Sequence, residues 1–141
     1  MKLENKVIII TGSTRGIGRA IAESCGKQGG KIVICSRHEE VVNETVDTLK
    51  KKGISIFGMV ADVSKGTDLE KLLQHSIDKW GKIDVWVNNA GLSSGMRAIH
   101  ELNEQEIKDV INVNFTGTLI ACKLILDYFF DKKDIQVLIL L

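Results

Sequence analysis

Thr11-Gly12-Ser13-Thr14-Arg15-Gly16-Ile17-Gly18 joins an apolar run, Val7-Ile8-Ile9-Ile10, to a segment of helical periodicity. In that segment Ile17, Ala20, Ile21, Ser24 and Cys25 fall on one face. Strand, glycine turn and helix in this order make a seat for phosphate. The helix N-terminus offers unpaired N–H groups and the positive end of its dipole. Glycine lets the backbone approach a diphosphate closely. The spacing of Gly12, Gly16 and Gly18 is G-x-x-x-G-x-G, which departs from the common fingerprint G-x-G-x-x-G. By spacing alone, a plain tight contact between helix and strand is also compatible with it.

Outward from this turn the chain alternates. Strand-like runs are expected at Lys6–Thr11, Lys31–Cys35, Ile54–Ala61, Ile83–Asn88 and Ile135–Leu141. Helical patterns lie between them. Val42, Thr45, Val46 and Leu49 form the face of the second, and Leu69, Leu72, Leu73, Ser76, Ile77 and Trp80 that of the third, with Ser64 or Thr67 as its cap. Asn103 is expected to cap the fourth, followed by Glu104 and Glu106 in its first turn. Its apolar face runs Ile107, Val110, Ile111, Phe115, Thr118 and Cys122, and Gly117 inside it costs about 1 kcal/mol relative to Ala. The pattern predicts an α/β fold: one Rossmann-like domain over residues 1–141, a parallel sheet with helices on both faces. Right-handed crossovers give strand order 3-2-1-4-5, with the switch point between strands 1 and 4.

Composition narrows the function classes. Nineteen basic and eighteen acidic residues leave a net charge of +1, so no strong field points to nucleic acid. Lys50-Lys51-Lys52 precedes Gly53 and complements a helix C-terminus. No stretch is expected to approach the roughly 18 apolar residues of a membrane span, and the N-terminus does not resemble a secretory signal. Cys25, Cys35 and Cys122 are read as buried free thiols in a reducing, cytoplasmic setting, with no metal site. His38, His75 and His100 show no ligand spacing and are read as surface residues.

The predicted topology gathers the C-terminal ends of strands 1 to 4 at one edge. They carry Thr11-Gly12, Ser36-Arg37, Ala61-Asp62-Val63 and Asn88-Asn89-Ala90-Gly91. Ligands bind at this edge of open α/β sheets.

These motifs carry a resemblance. Thr11-Gly-Ser-Thr-Arg-Gly-Ile-Gly18, Asp62-Val63, Asn88-Asn-Ala-Gly91 and Ile111-Asn-Val-Asn-Phe-Thr-Gly117 resemble, in order and spacing, the cofactor-binding portion of the short-chain dehydrogenase/reductase family. The resemblance implies an oxidoreductase moving a hydride between a nicotinamide dinucleotide and a small carbonyl or alcohol substrate. It implies that Gly12, Ser13, Thr14, Arg15, Gly16, Ile17 and Gly18 hold the diphosphate. Asp62 and Val63 would meet the adenine, and Asn89, Ala90 and Gly91 would lie beside a cofactor ribose. Asp62 is also compatible with a plain capping role near Ser64. Asn114 falls on the apolar stripe, where an unpaired amide costs about 1–3 kcal/mol. The family's matching Asn belongs to a catalytic tetrad and positions a water.

Strand 2 bears on cofactor choice. An NAD site usually places Asp or Glu after this strand, whereas this chain has Ser36-Arg37, with Arg15 in the glycine turn. Two guanidinium groups suit a 2′-phosphate, so NADP(H) is favoured over NAD(H). The alternative is that Arg37 is a solvated residue at a helix entrance.

The family's catalytic Ser and Tyr-x-x-x-Lys pair follow strand 5, and the sequence stops at Leu141 within that strand. Tyr128 and Lys132 spell Tyr-x-x-x-Lys but precede it. Fourteen helical residues separate Asn114 from Tyr128, roughly 21 Å, which puts Tyr128 towards the opposite edge. There Tyr128, Phe129 and Phe130 are expected to pack a helix end. Two functions remain: the cofactor half of an NADP(H)-dependent oxidoreductase, cut short and not active alone, or a non-catalytic nucleotide-binding or interaction module. Self-association through the fourth helix is expected, because its outer face lacks a partner.

Overall fold

A computed structural model describes residues 2–132 and 139–140. Five parallel strands, β1 (Val7–Ile10), β2 (Lys31–Ser36), β3 (Ile56–Val60), β4 (Val85–Val87) and β5 (Ile139–Leu140), lie in the order β3-β2-β1-β4-β5. Ile8, Ile9 and Ile10 of β1 sit opposite Ile32, Val33 and Ile34 on one side and Val85, Trp86 and Val87 on the other. This is the predicted order. The expected strand at Ile135–Leu141 is seen as Ile139–Leu140, paired with Trp86 and Val87. The remainder of that run lies outside the described residues.

The two-residue period of the strands divides the core into two layers. Val7, Ile9, Val33, Cys35 and Trp86 point to one face. There they meet Leu69 and Leu72 of α3 (Gly66–Trp80) and Ala121, Ile125 and Phe129 of α5 (Gly117–Lys132). Ile8, Ile10, Ile32, Ile34 and Val87 point to the other, against Ala22 of α1 (Gly16–Lys27) and Leu49 of α2 (Glu39–Lys51). A strand buried on both faces needs the continuous apolar runs of β1 and β2.

The helix faces follow the sequence in α2 and α3 and depart from it in α1. The departure is partial: Ile21 and Cys25 pack against the core as expected and Gly18 and Ala22 are buried, whereas Ile17, Ala20 and Ser24 are exposed. A glycine creates that face. A Cβ at Gly18 would run into the Asn89 side-chain amide, so α1 approaches β4's loop through a residue that hydropathy does not score. The cap of α3 also differs. Lys65 occupies the N-cap and no side chain closes it, so neither Ser64 nor Thr67 serves.

The fourth predicted helix is a continuous run of 29 residues, Glu104–Lys132. It is built from α4 (Glu104–Ile111), a π turn (Asn112–Thr116) and α5. Asn103 caps it as expected: its Oδ1 accepts from the Glu106 N–H at 2.9 Å, and Glu106 Oε2 accepts from the Asn103 N–H at 2.9 Å. The π turn inserts a residue's worth of rotation. The predicted stripe therefore does not enter the core: Ile107, Ile111 and Phe115 are exposed, and the buried face is Gly117, Ala121, Ile125 and Phe129. This helix is also long and apolar enough, by length and composition, to cross a membrane. That corrects the expectation that no stretch approaches such a span. Only Lys123 and Asp127 interrupt residues 112–130 with charge. Its buried face packs into the core described above.

Gly117 is more than a tolerated helix glycine. A Cβ there would lie 2.5 Å from the Val63 carbonyl oxygen, so the helix and the loop after β3 touch backbone to backbone. Gly117→Ala is expected to destabilise the fold by about 1–3 kcal/mol through this overlap, despite alanine's better helix propensity. Urea unfolding checks it. A stability equal to or above the parent's would show that the loop yields at no cost.

The cysteines separate. Cys35 is buried, and burial pushes its thiol up to about 12. Cys25 and Cys122 are half-buried, not buried as expected, and all three are free.

Candidate functional site

A cavity of ≈ 560 Å³ opens at the C-terminal ends of β1 to β4. Its volume suits a small-molecule or cofactor site. Four loops predicted from sequence build it: Gly12, Thr14, Arg15, Gly16 and Ile17 after β1, Ser36 and Arg37 after β2, Ala61, Asp62 and Val63 after β3, and Asn89, Ala90 and Gly91 after β4.

The glycine turn is shaped by contacts beneath it. Gly12 and Gly16 have φ of 60° and 54°, the left-handed region that favours glycine. A Cβ on Gly12 would lie 2.7 Å from Ala90 Cα, so the first and fourth loops are in backbone contact. Thr11 Oγ1 accepts from the N–H groups of Asn89 and Ala90 at 3.1 and 3.0 Å. Asn89 Nδ2 donates to the carbonyls of Thr11 and Gly12 at 2.9 and 3.0 Å. Ser13 Oγ donates to the Ile10 carbonyl at 2.5 Å and accepts from the Cys35 N–H at 3.3 Å.

Ser13 and Gly18 are buried and do not line the cavity. They hold the turn against β2 and the fourth loop, and Asn89 does the same through its amide. The turn then delivers α1 with its N-terminus open. Arg15 is the N-cap, its side chain makes no capping bond, and the first turn holds no acid. Such an end presents free N–H groups and a positive dipole to an anion.

Arg15 and Arg37 are exposed cations lining this cavity. Asp62 also lines it. Burial opposes ionisation of its carboxyl, but hydrogen bonds from Ser64 Oγ (2.7 Å) and N (3.0 Å) and the charges of Arg37 and Lys65 outweigh this and lower its pKa. Asp62 therefore caps nothing in α3. It closes the turn at Ser64 and stands as an anion within the influence of Arg37.

Asn114 lies in the π turn and is exposed, not buried in the stripe as expected. Its amide is nonetheless fully engaged. Oδ1 accepts from the Leu92 N–H at 2.7 Å, and Nδ2 donates to the Leu92 carbonyl at 2.9 Å. The two bonds tie the helix to the end of the fourth loop and satisfy a side chain that sequence alone left without a partner. Among the described residues no group of His, Cys, Asp and Glu could hold a metal ion.

Tyr128 sits at the other end of the sheet. Its hydroxyl accepts from the Ile83 N–H at 3.2 Å, ahead of β4, and its ring meets Phe129 edge to face at 5.5 Å. Phe130, expected to pack with them, is exposed.

His38, Val41, Leu92 and Val113 also line the cavity and escaped the sequence reading. Val41 carried a signal. It is an apolar residue in the first turn of α2, off the face formed by Val42, Thr45 and Leu49.

A family model described as short chain dehydrogenase matches residues 6–139. The chain is 36% identical over 130 residues to a diacetyl reductase [(S)-acetoin forming] of Staphylococcus epidermidis, covering 92% of this chain and 50% of that protein. A point variant of actinorhodin polyketide ketoreductase solved with NADPH superposes with a TM-score of 0.85 at 33% identity, over 90% of this chain and 49% of that one. A 3-ketoacyl-(acyl-carrier-protein) reductase from Brucella melitensis, solved with NADH, gives a TM-score of 0.85 at 27% identity, over 92% and 52%. The chain thus spans about half the length of these proteins.

Proposed function

The chain belongs to the short-chain dehydrogenase family, and on that premise we propose that it is the cofactor-holding part of an NADP(H)-dependent oxidoreductase acting on a carbonyl or alcohol. The observation that carries this reading is the cavity at the C-terminal ends of the strands, lined by Arg15, Arg37 and the open N-terminus of α1.

The residues present fit a dinucleotide. Gly12 and Gly16 keep side chains out of the turn where a diphosphate would lie, and the free N–H groups of α1 face it. Arg15 and Arg37 stand where a 2′-phosphate would need cations, and the residue directly after β2 is Arg37, where an NAD site usually has an acid to hold a ribose hydroxyl. Asp62 and Val63 offer an acceptor and an apolar wall for the adenine. Ala90 and Gly91 flank a ribose. When bound, the nicotinamide supplies the hydride. Asn114 fixes Leu92 at the cavity's far wall and leaves the π-turn backbone beside it, a place for a held water in a proton relay.

Calorimetric titration tests the reading. NADP⁺ is expected to bind one-to-one and more tightly than NAD⁺. Equal affinities would remove the roles given to the two arginines.

Self-association belongs to the same proposal. Ile107, Ile111, Phe115 and Leu119 recur every four residues along the long helix and are all exposed. Such a stripe is costly in water. Phe115→Glu is expected to shift the chain towards monomer in light scattering. A parent that is monodisperse and monomeric at high concentration would sink this, and would favour a self-contained module.

A further inference from the structure

We propose that Thr45, on α2, is a positioning residue for the diphosphate seat: it holds the Thr14–Arg15 peptide group of the glycine turn so that the Arg15 N–H faces the cavity. The inference rests on the cofactor reading given above and adds to it a residue that lies outside both the turn and the cavity wall.

Position 45 is the polar member of an apolar face. Val42, Thr45, Val46 and Leu49 share that face, and Val42, Thr45 and Leu49 are buried in it. Valine has the shape of threonine and would fill the place without a polar atom. A hydroxyl on a residue only 1% exposed needs a partner. Thr45 Oγ1 donates to the Thr14 carbonyl at 3.4 Å, across 31 residues of sequence. The bond is long for a hydroxyl donor, but it is closed to water.

A glycine brings α2 within reach. Gly58 lies in the middle of β3, where glycine often marks a close approach. A Cβ there would stand 2.6 Å from both Val42 Cγ1 and Val46 Cγ2, the neighbours of Thr45 on its face. Val41, which lines the cavity, is one helical turn nearer the ligand edge. Thr45 therefore acts on the turn from beneath.

The direction of the pull matters. A planar trans peptide sets its C=O and N–H on opposite sides. The preceding peptide group, Gly12–Ser13, is held in this way: the Gly12 carbonyl accepts from Asn89 Nδ2 at 3.0 Å, and the Ser13 N–H donates to the Cys35 carbonyl at 3.3 Å. Drawing the Thr14 carbonyl down to α2 likewise turns the Arg15 N–H towards the cavity that Thr14 and Arg15 line. Arg15 is the N-cap of α1, so this N–H joins those that the helix start offers to an anion.

The test is calorimetric titration of the parent, Thr45→Val and Thr45→Ser with NADP⁺, NAD⁺ and adenosine 2′-monophosphate, which lacks the diphosphate. Thr45→Val is expected to weaken NADP⁺ and NAD⁺ alike by about three- to tenfold, the span of one hydrogen bond's net contribution, with their ratio unchanged. Its affinity for adenosine 2′-monophosphate should equal the parent's. Thr45→Ser keeps the hydroxyl and should restore both dinucleotides. A role in stability alone would move the urea midpoint of Thr45→Val and leave its dinucleotide affinities at the parent's values. That result would overturn the role of Thr45 and leave the cofactor reading intact. An equal loss for adenosine 2′-monophosphate, or no recovery in Thr45→Ser, would also overturn it, because the effect would then not be the hydroxyl's hold on the diphosphate seat. A parent that binds neither dinucleotide would overturn the cofactor reading and this inference together.

Discussion

Arg37→Asp is expected to weaken NADP⁺ binding roughly 10- to 100-fold, while NAD⁺ binding holds or improves. The range corresponds to the loss of a hydrogen bond to a charged group, about 1.5–3 kcal/mol. Two further effects act in the same direction. The new carboxylate would repel the 2′-phosphate, and it could accept from a ribose 2′-hydroxyl, as acids after this strand do in NAD sites. It would also replace a cation that helps lower the pKa of Asp62, the acid on the neighbouring wall. Arg37 is exposed and lies outside the core, so the fold should be retained. Calorimetry on the two proteins decides the point. An unchanged ratio of affinities would make Arg37 a solvated residue at the entrance to α2.

Turnover is where the largest effect is expected. Assayed as the 141-residue chain, the protein should oxidise NADPH over a panel of carbonyl compounds no faster than background. General acid–base groups contribute about 10²–10⁴-fold each, and among the described residues the cavity wall contains no Tyr or Lys, its Ser36 lying in the loop after β2. Tyr128 does not substitute for one. Its hydroxyl is held by the Ile83 N–H ahead of β4, on the side of the sheet away from the cavity. Tyr128→Phe should therefore act on stability alone, at about 1–3 kcal/mol for the unpaired amide. Robust turnover abolished by Tyr128→Phe would make the chain a compact enzyme with its acid in an unforeseen place.

The parts of the fold legible in the sequence were those fixed by period. β1 and β2 are unbroken apolar runs because both sheet faces are covered, and α2 and α3 show their stripes because one face of each is buried. The cavity followed, since strand order alone brings Gly12, Arg37, Asp62 and Asn89 to one edge. What stayed hidden depended on close approach or on rotation. Gly18 and Gly117 are contact points because they lack a Cβ, and hydropathy assigns them nothing. The π turn at Asn112–Thr116 rotates the stripe of the long helix outwards, and periodicity read at 3.6 residues cannot register it. Ser13 and Asn89 lie within motifs that point to the ligand, yet their side chains bond to the backbone beneath. Sequence places a residue in a loop without saying which way it faces.

The amide NMR spectrum of the labelled chain, titrated with NADP⁺, tests the central claim most directly. The account predicts shifts confined to Gly12, Thr14, Arg15 and Gly16, to Arg37, to Asp62 and Val63, and to Ala90 and Gly91, four separate stretches that only this cavity unites. The amides around Ile83 and Tyr128, at the other end of the sheet, should stay unmoved. Shifts centred there, or no shifts at millimolar NADP⁺, would contradict it.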